Sequence, residues 1–192
     1  MHHLTSNVTN VEMFAYTPKE GVGERHIMIH ATKAPATARQ QIENVLVTYH
    51  KLLSNELKGF TPVFRRIFLS DAANQIDLVE NFLKDEVDEV ATSVVEQAPL
   101  DGSKVALWAY FVEGDLQAKK QNGLHVVSHS NYSHYWGGTT CLKDGNSEEQ
   151  TYQMLHNYAN QLTNEGMTLK DDCIRTWFFV QNVDVTYQGV VD

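Results

Sequence analysis

A long amphipathic helix followed by a short, very apolar strand occurs twice in this chain, and this repeat constrains the fold more than any other feature. The first copy covers residues 40–71 and the second residues 147–182. Sliding the chain along itself pairs Gln40 with Gln150, about 110 positions apart, which is too long for a solenoid repeat and has the size of a small domain. The sequence therefore predicts two related modules.

Charge and composition narrow the possible partners. The 192 residues include 15 Lys and Arg against 24 Asp and Glu, a formal net charge of −9. Proteins that bind nucleic acid neutralise phosphates with a basic face, so we expect no nucleic-acid partner. No apolar run approaches the roughly 20 residues that a membrane-spanning helix needs, so we expect no membrane partner. The first residues lack the basic start and apolar centre of a signal peptide, which favours a cytoplasmic location.

The sequence contains no recognisable cofactor site. Cys141 and Cys173 match no zinc spacing, and neither standard phosphate-binding glycine loop occurs. His125, His129 and His134 lie close together in sequence but lack an acidic or thiol partner at a fitting interval. We therefore expect no metal and no cofactor.

Hydrophobic periodicity gives the first module, residues 22–114, the order strand, helix, strand, helix, strand, strand. Ser70 or Asp71 is positioned to cap the second helix. Residues 99–102, Pro-Leu-Asp-Gly, predict a turn that joins the last two strands as a hairpin. Residues 1–21 form an N-terminal segment in which 1–12 are expected to be loosely ordered and 13–16 to form an edge strand.

The second module is predicted at residues 124–192, after a polar linker at 115–123. Two short strands come first, followed by a helix with a capping box formed by Ser147 and Gln150. An apolar strand is then expected over residues 172–182. The sequence ends where the first module continues into its second helix and last strands. We thus expect half of a second module, completed by a longer chain or by another subunit.

Three stretches of the first module resemble the Rid family, also called the YjgF or endoribonuclease L-PSP family. They are Ile29-His-Ala-Thr-Lys-Ala-Pro35, Val63-Phe-Arg-Arg-Ile-Phe-Leu-Ser-Asp71 and Ala91-Thr-Ser-Val-Val-Glu-Gln-Ala98. The tandem arrangement, with the phrase at residues 174–180, is also similar to the chorismatases, which are built from two Rid-like halves.

The resemblance implies an α+β fold in which a mixed, chorismate-mutase-like sheet carries two helices on one face. It further implies a homo-oligomer, a trimer with clefts between its subunits, that hydrolyses reactive imines or enamines of small carboxylated metabolites. In that chemistry an arginine holds the substrate carboxylate by a bidentate, charge-assisted pair, and a glutamate on the last strand lies near the attacking water.

The chain departs from the family at both of these positions. The arginine position falls on Thr92, directly before Ser93, and the glutamate position falls on or near Trp108. A threonine hydroxyl does not replace a guanidinium, because hydrogen bonds to charged groups are worth roughly 1.5–3 kcal/mol. We therefore expect this segment to lack the family's complete catalytic apparatus, and we assign no catalytic residue.

The arginines are the first candidates for ligand binding. Arg65 and Arg66 lie inside an apolar strand, where a charge must be paired or reach water. They either bind an anion in a cleft between subunits, or form salt bridges or an exposed strand end. Arg175 presents the same alternatives in the second copy.

Thr92, Tyr135 and Asn74 complete the candidate set. Thr92 occupies the family's arginine position, and Tyr135 belongs to an aromatic run with the three histidines that forms either a pocket wall or ordinary packing. Asn74 either faces a cleft or serves a turn. Two functions remain open: a Rid-like relative of imine and enamine deaminases, and a non-catalytic module for anion binding or assembly.

Overall fold

The computed structural model describes residues 2–32, 36–86, 90–138 and 141–191. Its elements in chain order are β1 (His2–Thr5), β2 (Thr9–Tyr16), β3 (Glu24–Ala31), α1 (Ala38–Ser54), β4 (Phe60–Leu69), α2 (Ala72–Leu83), β5 (Ala91–Glu96), β6 (Val105–Glu113), β7 (Ala118–Gln121), β8 (Leu124–His129), β9 (Tyr132–Trp136), α3 (Ser147–Asn164), α4 (Leu169–Asp172), α5 (Val183–Thr186) and α6 (Gln188–Val191).

The chain has an α+β fold built on a mixed sheet. Six strands lie in the order β1-β2-β3-β6-β4-β5, and β7-β8-β9 form a second sheet. Strands β4 and β5 run parallel, with Arg65 opposite Thr92 and Arg66 opposite Ser93. The β4–β6 pairing is antiparallel and places Arg66 opposite Trp108. The α+β class and the mixed sheet expected from the sequence are thus present.

Helices α1 and α2 pack on the same face of the six-stranded sheet. Thr37 caps α1 through a capping box with Gln40, and Asp71 caps α2 by accepting from the backbone N–H of Asn74 at 3.2 Å. The two helices and the inward-facing strand residues share one core, because apolar side chains recur at steps of three and four in the helices and at every second position in the strands. Its fully buried members include Ile27, Ile29, Val45, Leu46, Val79 and Leu107.

The order of strands corrects two expectations. Residues 91–98 and 104–112 do not form a hairpin, because β4 lies between β5 and β6 and pairs with both. The expectation of a loosely ordered N-terminus is wrong for residues 2–12. Strand β2 pairs along its whole length with β3, since its alternating side chains Val11 and Met13 bury against the core.

Two further details differ from the sequence-based description. The polar stretch at 115–123 contains strand β7 rather than only a linker. Residues 33–35, which include Pro35 of the first motif, lie outside the described residues. The predicted strands at 25–31, 63–69, 124–128 and 132–136 are confirmed.

The β8–β9 hairpin packs on the face of the sheet opposite the two helices. Val127 joins a second core with Phe64 and Tyr110, and Trp136 packs against its edge. Gly138, just past the hairpin, allows a close approach, since a Cβ there would lie 3.0 Å from the backbone oxygen of Thr92. The six-stranded sheet is therefore covered on both faces.

The chain divides into two compact units: residues up to 120 together with 125–138, and residues 121–124 together with those after 138. In the second unit α3 begins as expected, but the capping box uses Asn146 and Glu149 rather than Ser147 and Gln150. Gln121 and Asn122 donate to the carboxylate of Glu165. Helix α3 has two buried residues, Thr151 and Leu162, whereas α1 has six.

The strand predicted over residues 172–182 is wrong. Residues 173–180 form neither strand nor helix, and the turn that follows leads into α5. Their apolar side chains face solvent: Ile174 is 92% exposed and Trp177, Phe178 and Phe179 are 40–45% exposed. The helix of the second copy is thus present without the strand that follows it in the first. Among the described residues, no helix is long and apolar enough to cross a membrane.

Candidate functional site

Arg65 and Arg66 project from β4 to opposite faces of the sheet, because successive side chains of a strand alternate. Arg65 points to the face that carries α1 and α2, and Arg66 to the face under the β8–β9 hairpin. Their relative exposures are 4% and 6%. Each charge must therefore be compensated inside the protein, and the two arginines do so differently.

Arg65 is held by a bidentate ion pair. Its Nη1 donates to Oε1 of Glu86 at 2.9 Å and its Nη2 to Oε2 at 2.6 Å. Its Nε donates to the Thr92 hydroxyl at 2.9 Å, and that hydroxyl in turn donates to the carbonyl of Val90 at 3.0 Å. All three guanidinium nitrogens are thus engaged within the protein. Of the alternatives expected from the sequence, Arg65 therefore forms a salt bridge.

A concavity of about 390 Å³ opens beside this ion pair, between the two helices and β4. Its apolar walls include Leu53 and Phe82, and its polar groups include Asp85 and His50. The Nε2 atom of His50 lies 3.1 Å from Oε1 of Glu86. Because Glu86 neutralises Arg65, Asp85 leaves this concavity acidic, which does not suit a carboxylated ligand.

Arg66 lies among aromatic rings on the other face. Its guanidinium carbon is 5.2 Å from the ring centre of Phe64 and 5.9 Å from that of Trp108. Its Nε donates to Oγ of Ser93 at 3.3 Å. Burial lowers the pKa of Arg66 from its usual value, although an arginine stays charged at all physiological pH values. Cation–π contact stabilises such a charge where water is excluded.

Histidine and tyrosine rings extend this cluster along β3 and β6. His26 stacks on Tyr110 at 4.7 Å and on Trp108 at 5.8 Å. Burial lowers the pKa of His26, and the nearby Glu24 carboxylate partly opposes this effect. Burial also raises the pKa of Tyr110 well above its usual range, aided by the charge of Glu24 and a hydrogen bond with it. Both rings are therefore neutral at pH 7.

The hairpin contributes the other side of the cluster. Trp136 stacks on Phe64 at 4.8 Å, and His134 lies 5.0 Å from His129, ring centre to ring centre. Burial, and then the neighbouring His129, lower the pKa of His134, whereas Glu24 raises it. Among the described residues no three His, Cys, Asp or Glu side chains converge in a way that could hold a metal ion.

Within the first compact unit, the structure does not bring its four predicted ligand-binding residues together. Thr92 and Arg66 lie on opposite faces of the sheet. Asn74 is exposed at the start of α2, where its amide donates to Asp71 at 2.7 Å, so it serves the helix terminus. Tyr135 faces away from the histidines, since it pairs with Val126 while His134 pairs with Val127. Arg175 is exposed in the second unit, 5.6 Å from the ring of Trp177.

Sequence reasoning missed Glu86, Glu24 and His26. Glu86 follows α2 in an acidic stretch that is typical of a solvated surface, and no local pattern reveals that it pairs with an arginine 21 positions earlier. Alternation along β3 does indicate that Glu24 and His26 share one face, but not which face. The available signal is that three of the four alternate positions on one side of β3 are polar, namely Glu24, His26 and His30.

Comparisons with known proteins assign no family to this chain. The chain matches no model of a known protein family, and a comparison with curated proteins found no significant match.

Proposed function

We propose that this chain is a Rid-like module that binds a small carboxylated metabolite without deaminating it, and that it acts in the cytoplasm as part of a homo-oligomer, a trimer by resemblance. The observation that carries the proposal is the position of Arg66, a buried guanidinium that lies among aromatic rings and donates to the Ser93 hydroxyl.

The support for a Rid-like module comes from the first module alone. Its two helices lie on one face of a mixed sheet, which is the arrangement that the resemblance implies. The second copy adds little support, because its strand is missing from residues 172–182. The motifs at 63–71 and 91–98 lie on the paired strands β4 and β5.

Arg66 is the best-placed anchor for a carboxylate. A planar guanidinium binds a carboxylate through two charge-assisted hydrogen bonds, and low exposure to water strengthens them. The hydroxyl of Ser93, 3.3 Å from Nε of Arg66, is a further donor at the same place. Because Arg66 is so little exposed, binding requires a local movement of this side chain or of the hairpin, and the cost of that movement weakens the measured affinity.

Two residues, at the places of the family's arginine and glutamate, are the reason why we expect no deamination. Thr92, at the place of the family arginine, holds Arg65 and bonds the backbone at Val90. Trp108, at or near the place of the family glutamate, stacks on His26. Neither side chain can serve as a carboxylate anchor or as a base for the attacking water.

Ammonia release from freshly generated 2-aminoacrylate tests the absence of catalysis. This enamine tautomerises to an imine, water adds to the C=N carbon, and ammonia leaves to give pyruvate. We expect the purified chain to release ammonia no faster than buffer does. Turnover well above the buffer rate would overturn the non-catalytic part of the proposal and favour the deaminase alternative.

The exposed segment at residues 173–180 favours a second role in assembly. It places Ile174, Trp177, Phe178 and Phe179 against solvent in one continuous stretch. Monomeric proteins rarely expose contiguous apolar surface of this kind, which usually marks a contact with another protein. In this alternative the chain is an assembly module of a longer, chorismatase-like enzyme.

A further inference from the structure

The β8–β9 hairpin contains a pair of histidines in an unusual position. His129 is 7% exposed, and neither of its ring nitrogens has a hydrogen-bond partner among the described residues. The same holds for Nδ1 of His134. The two rings meet edge to face at 5.0 Å. Three buried ring nitrogens of this pair thus have no hydrogen-bond partner among the described residues.

We propose that the β8–β9 hairpin is an acid-sensitive cover of the six-stranded sheet: protonation of His134, whose ring lies against the buried ring of His129, detaches the aromatic side of the hairpin from the sheet and exposes the cluster around Arg66. This inference goes beyond the proposed function and does not depend on ligand binding. A charge on the half-buried His134 ring would lie 5.0 Å from the buried His129 ring, and its Nδ1 has no hydrogen-bond partner among the described residues to compensate the charge.

The groups that face this pair come from four elements. Tyr132 and His125 belong to the hairpin itself, with Tyr132 4.5 Å from His129. Strand β6 contributes Tyr110, 6.2 Å from His134. Strand β3 contributes Glu24 and His26, and β4 contributes Arg66, on the face of the sheet that the hairpin covers. The charge of Glu24 favours a protonated His134.

The direction of the pH effect follows from linkage. Burial lowers the pKa of His134 in the folded state, so the unfolded chain binds more protons between that pKa and the ordinary value near 6.5. The closed hairpin is therefore fully stable above about pH 6.5 and loses stability as pH falls below it. Glu24 moves the transition to lower pH, but it does not reverse its sign.

Local opening is the expected response because the hairpin is held chiefly by side-chain packing. Trp136 stacks on Phe64 at 4.8 Å and lies 5.6 Å from Tyr110. The six-stranded sheet has in addition its own core on the opposite face, under α1 and α2. Loss of the hairpin contacts thus leaves that core in place.

Tryptophan fluorescence between pH 8 and pH 5 tests the proposal, since Trp108 and Trp136 lie in the cluster. We expect a reversible red shift below pH 6.5 in the natural chain and in a His156→Gln control, which changes an exposed histidine of α3. The His129→Gln, His134→Gln double variant should show no shift in that range. A transition that persists in the double variant, or the absence of any transition in the natural chain, would overturn the proposal.

Hydrogen exchange of the natural chain covers the case in which the double variant does not fold. Protection factors of residues 125–136 should fall between pH 7.5 and pH 5.5, while those of β3 and β6 stay constant. An equal loss of protection in β3 and β6 would mean global unfolding and would overturn the local mechanism.

Discussion

Glu86 accepts two hydrogen bonds from the guanidinium of Arg65, at 2.9 and 2.6 Å, in a part of the protein where Arg65 is 4% exposed. This pair ties the segment after α2 to the middle of β4. Because Arg65 also donates to Thr92, the same guanidinium fixes β5 beside β4. One buried cation thus joins three elements on the helix-bearing face.

Removing the carboxylate of this pair should destabilise the fold strongly. Glu86→Gln leaves the buried guanidinium of Arg65 without a counter-charge, and breaking a buried pair in this way costs about 3 kcal/mol or more. Urea unfolding followed by far-UV circular dichroism measures the loss. Glu80→Gln, which changes an exposed carboxylate on α2, is the control and should alter stability little. Equal stability of the two variants would show that Arg65 does not depend on Glu86.

The close approach of Gly138 to β5 predicts a steric effect. Gly138→Ala would place a Cβ 3.0 Å from the backbone oxygen of Thr92, which cannot move away as a flexible side chain can. We expect a loss of about 1–2 kcal/mol and faster proteolysis at the hairpin. Ser133→Ala, on an exposed position of β9, serves as the control. Unchanged proteolysis of Gly138→Ala would contradict this packing.

The capping box of α3 differs between the sequence-based prediction and the structure, and substitutions distinguish the two. Asn146→Ala removes the side chain that accepts from the backbone N–H of Glu149 at 3.0 Å. It should cost about 1 kcal/mol and increase hydrogen exchange in the first turn of α3. Ser147→Ala, one position later, should have little effect. The opposite result would support the capping box at Ser147 and Gln150.

The exposed aromatic segment predicts a change in association. Replacing Trp177 and Phe178 by Ser removes much of the apolar surface at residues 173–180 and should shift the chain towards the monomer in sedimentation velocity. Leu100→Ser is the control, because Leu100 is fully exposed in an isolated turn. If the natural chain is already a monomer at high concentration, the assembly alternative is wrong.

The sequence was most informative where local physics decides the structure. The stripe from Ile42 to Leu52 predicted α1, and the apolar run from Val63 to Leu69 predicted β4. Both predictions are confirmed, because periodic burial and strand-forming residues act within a few positions.

The errors concern long-range relations. The turn at 99–102 predicted a hairpin, since adjacent strands usually pair, but β4 takes the place between them by a non-local contact. Residues 174–180 carry the composition of a buried strand, yet they pair with no strand among the described residues. Strand propensity expresses itself only where a partner strand is present.

The candidate site shows the same limit. The sequence placed Arg65 and Arg66 in an apolar strand and identified the alternatives of pairing and anion binding. It could not predict that Arg65 is the paired one, because this depends on which face of the strand meets Glu86.

A calorimetric titration with pyruvate tests the central claim most directly. The natural chain and an Arg39→Lys control, which changes an exposed arginine of α1, should bind pyruvate with the same affinity. Arg66→Lys should bind at least tenfold more weakly, about 1.4 kcal/mol, because an ammonium cannot form the bidentate pair. Equal affinity of Arg66→Lys and the natural chain, or no binding by the natural chain, would contradict the account.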